Sequence, residues 1–282
     1  MKKLIVHQQL FLSTLRKDKW WIEPLLVLCG LLSFIIYSTW AAWQGEYFWW
    51  SGLSNPSGFG GYLSPFYSPP LFLKDGMNGI PPLSHALFGE WPNWLLWLPG
   101  YSPAWLILVF PLSFRFTCYY YRKAYYRAFS FTPPACAVGG IPQKDYKGET
   151  GILLFQNLHR YALYFAIIFI FILSYDAVMA FFIDGKFGIG IGSIVLLINP
   201  ILLGCYTFGC HSFRHLVGGG HDCFSCEHGG NTQAYSRWKI VTFLNRRHQL
   251  FAWFSLVWVG LSDVYVRLVS MEIIIDLNTW GI

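Results

Sequence analysis

The chain has 282 residues and a formal net charge of +6, yet only 12% of it is charged while 55% is hydrophobic and 20% aromatic. That balance excludes a water-soluble globular domain and a disordered chain, and places the protein among those that live in a bilayer. The basic excess lies beside the apolar runs, where anionic headgroups are its partner, so it is no footprint of nucleic acid.

In chain order, the first element is a basic arm over residues 1–22. It sets Leu10, Phe11 and Leu15 to one side and places Trp20 and Trp21 at headgroup level, the pattern of an interfacial amphipathic segment. The arm reads as retained rather than cleaved, because the apolar run after it has spanning length and not signal length. Four runs of about 20 residues or more, nearly free of charge, match roughly 30 Å of hydrocarbon: Pro24–Trp43, Tyr161–Ile183, Phe187–Thr207 and Leu250–Met271. A fifth, Trp97–Tyr121, carries Pro103, Pro111 and Arg115, and proline is tolerated in a span whose neighbours satisfy the freed carbonyls. The expectation is an all-α membrane protein with one domain over 1–282, a five-helix bundle spanning at about 24–43, 97–121, 161–183, 187–211 and 249–271.

Orientation follows from Lys and Arg in the connections. Sixteen of the twenty lie in the arm, in the segment between spans two and three, or in that between spans four and five; Lys74, Lys186 and Arg267 fall on the other side, and Arg115 lies near the inner end of span two. The N-terminus is expected inside and the C-terminus outside. Residues 45–96, rich in Gly, Pro, Trp and Tyr, then form an extracytoplasmic cap between spans one and two.

On that topology Cys and His gather at one depth. Cys118 closes span two, His159 opens span three, Cys205, Cys210, His211 and His215 lie at the inner end of span four, and His248 opens span five. His211 and His215 are four apart and share a helix face. Two Cys and two His suit a Rieske-type [2Fe–2S] centre, and a structural zinc is chemically possible too. Cys29, Cys136 and Cys205 read as small buried hydrophobes. The stretch Thr207–Gly230 continues into a loop with His221, Cys223, Cys226 and His228; on the cytosolic face it reads as a solvated loop with reduced thiols, or as a lender of ligands. Asp176 and Asp263 lie in spans three and five, either as proton-passing groups or as packed hydrogen-bonding residues near the outer rim. Arg115 is expected to snorkel, or to pair with a cofactor or quinone group.

The blocks "LSPFYSPP" (63–70), "FRFTCYYYRKAYYRAF" (114–129), "ETGILLFQNLHRY" (149–161), "CHSFRHLVGG" (210–219) and "NRRHQLFAW" (245–253) resemble the five-helix membrane anchor of actinobacterial-type succinate dehydrogenases. The resemblance implies a succinate:quinone oxidoreductase subunit of the respiratory chain, multi-pass in the bacterial cytoplasmic membrane. It would hold the flavoprotein and iron–sulfur subunits on the cytoplasmic face and pass electrons to a quinone, with menaquinone as the expected type. It implies a membrane-embedded Rieske-type cluster rather than haem b, whose two stacked copies would need a second set of His near the outer face. Cys118, Cys210, His211 and His215 are the expected ligands; Tyr119, Arg122, His159, Arg214 and His248 are the expected quinone contacts, with His159 and His248 as alternative ligands. Where the family pattern has a further Cys, this chain has Phe213. No catalytic succinate site is expected on this chain, and the whole complex is a candidate homo-oligomer. Readings from other classes are a proton- or ion-conducting transporter built on Asp176 and Asp263, and a zinc-stapled structural anchor.

Overall fold

The structure, a computed structural model, describes residues 10–52, 60–141, 156–219 and 232–281. The chain falls into two compact units, one of Met1–Ile36 with Arg115–His159, the other of Tyr37–Phe114 with Arg160–Ile282.

Among the described residues, four helices are long and apolar enough to cross a membrane: α1 (Ile22–Gln44), a helix over Gln156–Met179 whose α-helical part is α5 (His159–Met179), α6 (Ile191–Phe208) and α9 (His248–Ser270). They leave large apolar side chains bare, among them Leu26, Ile36 and Phe171, which water would penalise and lipid tails accept. Pro24 falls in the first turn of α1, where no intrahelical N–H is lost. The helix stops at Gly45, whose φ is +67° and where a Cβ would strike the carbonyl oxygen of Gly100 at 1.9 Å, so only glycine serves there.

The expected second span is interrupted. After Pro103 come α2 (Ala104–Ile107) and α3 (Val109–Thr117), together a short apolar stretch, and then α4 (Tyr119–Ala128) begins afresh after Cys118. Residues 104–117 rise only about 21 Å as a helix. The expected third span also ends early, at Met179. The Asp184–Gly185 pair, both at positive φ, turns the chain into a hairpin of β3 (Phe182–Ile183) and β4 (Lys186–Phe187). At α6 the helix closes at Gly209, and a separate α7 (His211–Gly218) follows, succeeded by α8 (Thr232–Asn245).

In the second unit, the described residues of 45–52 and 60–103 carry little regular structure beyond the antiparallel pair β1 (Trp49–Trp50) and β2 (Tyr62–Leu63) and short 3-10 turns. Gly60 bridges to Ile183, and Tyr62, Ala180, Leu196 and Val266 form a buried cluster with Trp50 and Tyr265 against it. The blocks of this segment are held by polar bonds to the helices. Asp263 on α9 is fully buried and pairs with Arg267 at 2.8 Å; it also accepts from Ser64 and, at 2.5 Å, from Tyr37. Arg267 donates to the carbonyl oxygens of Glu46 (2.9 Å) and Ala41 (3.0 Å). Ser68 donates to Asp176 on α5. Both serines belong to the "LSPFYSPP" block, whose Tyr67 stacks on Phe48 with ring centroids 4.0 Å apart. Asp276, past α9, accepts from Tyr62 (2.9 Å), Tyr265 (2.5 Å) and the N–H of Gly192 in the first turn of α6 (2.9 Å), a carboxylate at the positive end of a helix.

In the first unit the basic arm is not helical over 10–20. It lies along residues 136–141, with Leu12 N–H donating to the Gly139 carbonyl and Gly139 N–H returning to Ser13, both at 2.8 Å. Thr14 donates to the Ala137 carbonyl and Arg16 to that of Cys136.

Candidate functional site

The two sequence blocks around Cys118 and Cys210 adopt one local geometry. Each cysteine is the N-cap of a short basic helix that starts where an apolar helix has just stopped, with φ/ψ of −65°/130° at Cys118 and −66°/144° at Cys210. Both are buried free thiols. Each carbonyl accepts the N–H of an arginine four residues on, Arg122 at 2.9 Å and Arg214 at 3.0 Å. A cap normally offers an oxygen to the exposed N–H groups of the first turn; at Cys210 sulfur takes that place, its Sγ accepting from Ser212 N–H at 3.4 Å, whereas the Cys118 side chain makes no cap bond. The spacing of Cys to Arg in both blocks was the available sequence signal for this equivalence, and the sequence reading passed over it.

In the first unit His159, the first residue of α5, sets its Nδ1 2.8 Å from the hydroxyl of Thr117, the residue before Cys118. Tyr119 is largely exposed, with the Arg122 guanidinium 5.8 Å from its ring centroid. Arg115 donates to the Tyr121 hydroxyl at 2.6 Å, a partner within its own helical neighbourhood.

In the second unit His211 and His215 stand one turn apart on α7 and both are exposed. Arg214 places Nη2 3.3 Å from His211 Nδ1; a guanidinium only donates, so that nitrogen is the acceptor and carries no proton. Its other face lies 5.4 Å from the Trp238 ring of α8. His248, the first residue of α9, stacks on Tyr206 at 4.8 Å, and the Asn245 amide just before it donates to the Gly209 carbonyl at 2.8 Å. Each unit thus brings the opening His of a later helix against the helix end that precedes its cysteine: His159 at Thr117, His248 at Tyr206. Phe213 packs on Phe208 with ring centroids 5.0 Å apart.

The remaining cysteines divide. Cys205 is partly buried, but Cys29 and Cys136 are exposed, contrary to the expectation of buried small hydrophobes: Cys29 lies on a bare face of α1, and Cys136 lies in the loop that receives the arm. The loop with His221, Cys223, Cys226 and His228 lies outside the described residues. Of the two in-span carboxylates, Asp263 is the packed one, and Asp176 lines a small cavity beside His85.

The comparisons with known proteins bear on these blocks directly. The family model of actinobacterial succinate dehydrogenase subunit SdhC matches residues 22–272. The chain belongs to this family. It is the membrane subunit of a succinate dehydrogenase complex, an oxidoreductase, and it works with other subunits. In the solved structure of the Mycobacterium smegmatis Sdh1 complex in the apo form, one chain is similar over 92% of this chain and 90% of that one, at 41% identity with a TM-score of 0.76. Among curated proteins none matches this chain.

The donor types of the expected metal centre are present: two buried thiols, each at a helix start, and two imidazoles one turn apart. Within either unit, no three described His, Cys, Asp or Glu side chains converge as one metal ion requires. The second unit by itself supplies Cys210, His211 and His215 in sequence, but its described side chains do not gather them about one point.

Proposed function

We propose that this SdhC chain carries electrons from the iron–sulfur partner of the complex to a membrane quinone, menaquinone by expectation. The observation that carries the reading is the paired geometry of Cys118 and Cys210, buried thiols at helix starts with a histidine delivered against each preceding helix end. Cys118, Cys210, His211 and His215 would hold a Rieske-type [2Fe–2S] centre, two thiolates for one iron and two imidazoles for the other. Such a group, when bound, passes one electron at a time. The chain's own residues do the rest. Tyr119, Arg122, Arg214, His159 and His248 are the hydrogen-bonding groups at that level, and a quinone needs donors for its carbonyl oxygens and a proton source on reduction. Succinate oxidation is assigned to the flavoprotein partner, docked with the iron–sulfur subunit on the cytoplasmic face.

The same reading keeps five spans in the bacterial cytoplasmic membrane, with the N-terminus inside, the C-terminus outside and residues 45–96 as the outer cap. The distribution of the basic residues supports it. The second span is the proline-bearing stretch 97–121, broken before Cys118, and non-helical backbone at that depth is acceptable where protein covers it.

The test is low-temperature EPR with iron and zinc analysis of the dithionite-reduced complex, for the wild type and for Cys118→Ser and Cys210→Ser. A rhombic signal of a His-ligated [2Fe–2S] centre, lost with two irons per complex in each variant while succinate still reduces the soluble partners, is the expected result. Haem b bands would replace the ligand set and keep the quinone reductase. Zinc alone would leave a structural anchor.

A further inference from the structure

Two residues join α8 to α9, and both are arginine. One face of α8, at positions 234, 238, 241 and 245, is packed on α7 and the end of α6. Ala234 and Val241 are buried there. A Cβ on Gly218 of α7 would come within 2.8 Å of the Trp238 Cβ, and Asn245 holds the Gly209 carbonyl.

The opposite face is bare and apolar. Ile240 and Phe243 stand on it, and the same alternation of three and four residues runs on past the arginines to Leu250, Phe254, Val257 and Leu261 of α9. These six side chains are between 49% and 69% exposed. Arg247 is the charged residue within the series; its guanidinium lies 4.6 Å from the Phe243 ring centroid, and Arg246 is exposed beside it. From Leu250 to Leu261 the helix rises about 16 Å, close to half of a hydrocarbon core. The stripe on α9 therefore has the length of one leaflet, and the arginines fall at the level of that leaflet's phosphates.

The charge is uncompensated. No Asp or Glu occurs between Glu227 and Asp263, a stretch that holds Arg237, Lys239, Arg246 and Arg247. Neither Arg246 nor Arg247 makes a salt bridge to a described carboxylate. A pair of cations above a leaflet-long apolar stripe is complementary to a molecule with an anionic head and an acyl tail. A soluble partner could cover α8 but could not follow the stripe into the hydrocarbon, and inorganic phosphate would match the head and leave the stripe bare. We propose that the α8–α9 junction binds one anionic phospholipid, with its phosphate on Arg246 and Arg247 and an acyl chain along Leu250, Phe254, Val257 and Leu261. The proposal rests on α9 crossing the membrane, and neither on electron transfer nor on which leaflet meets its His248 end.

The test uses the purified complex in phosphatidylcholine nanodiscs that contain a trace of a photoreactive lipid. The probe is phosphatidylglycerol or phosphatidylcholine with the same diazirine-bearing chain, and labelled peptides are mapped by mass spectrometry. The phosphatidylglycerol probe is expected to label residues 250–261 several-fold more than its zwitterionic counterpart. Each cation at headgroup level contributes ~fivefold to binding, so Arg246→Gln with Arg247→Gln should cut that preference about tenfold or more. Labelling of the bare face of α1 should not change, and co-purification of the other subunits with this chain reports assembly. Should the double variant fail to assemble, Arg246→Gln alone decides, because its guanidinium bonds no described side chain. Equal labelling by the two probes, or a preference retained in the variants, overturns the proposal and leaves only annular lipid. So does a junction labelled by neither probe but cross-linked to another subunit, which would make it a protein interface. If α9 stays unlabelled along its length while α1 is labelled, the crossing by α9 fails instead, and the two failures are told apart.

Discussion

Asp263 shows how a charged pair survives at the heart of a helix packed in an apolar setting. The carboxylate is fully buried and accepts from Arg267, Ser64 and Tyr37, while Arg267 also donates to the carbonyls of Glu46 and Ala41 and to the Tyr67 hydroxyl. Desolvating two charges is offset only when every lone pair and proton is satisfied, and removing one partner strands the other. Asp263→Leu is therefore expected to destabilise the chain by about 3–5 kcal/mol, and Arg267→Met by a similar amount. The double variant should recover part of that loss, read as the temperature at which the complex loses its membrane subunit in detergent. Full additivity of the two losses would show that the pair is not coupled. From sequence alone Asp263 could have carried protons or packed, because a lone acidic residue in a span looks the same in both cases. The partner Arg267 is one helical turn away and was legible, whereas Ser64 and Tyr37 come from positions 199 and 226 residues distant.

At the scale of elements, the cap is stitched to two different helices by one short block. Ser64 reaches α9 and Ser68 reaches α5. Hydrogen bonds to charged groups contribute about 1.5–3 kcal/mol each. Ser64→Ala with Ser68→Ala should loosen residues 60–73 without unfolding the long helices. Amide hydrogen exchange is expected to speed up in that block and to stay slow in α6 and α9; protection unchanged in the block would mean that Tyr67 and its stacked Phe48 hold the cap alone. The block was visible as a motif and its turn chemistry was plain, but what the serines bond to was not, since a hydroxyl does not name its partner. The same limit applies to α4 and α7. A Cys followed by Arg four positions on was readable in both places, yet that each Cys caps a new helix depends on where the preceding apolar helix breaks.

For the whole molecule the outstanding claim is orientation. Cys136 is exposed and belongs to a segment read as inner, and Lys186 sits in the hairpin after α5, read as outer. A membrane-impermeant maleimide is expected to label Lys186→Cys in right-side-out vesicles and Cys136 only in inverted ones, with Cys136→Ala removing the second signal. The reverse pattern would invert the topology and turn the cavity at Asp176 to the inner face.

Hydrophobic length and charge bias are local sums along the chain, so composition and order alone determined that this is a membrane protein, where its long apolar helices lie, and through its unusual Cys and His blocks which family it belongs to. The interruptions were determined jointly, because Pro103 and the Asp184–Gly185 turn signal a break, but the length of helix that survives beside them depends on packing. Only the tertiary structure decided that Asp263 is a buried pair while Asp176 opens on a cavity with His85, and that Cys29 and Cys136 are bare. Burial and hydrogen-bond partnership are properties of neighbours brought from far along the chain, and no window of sequence contains them.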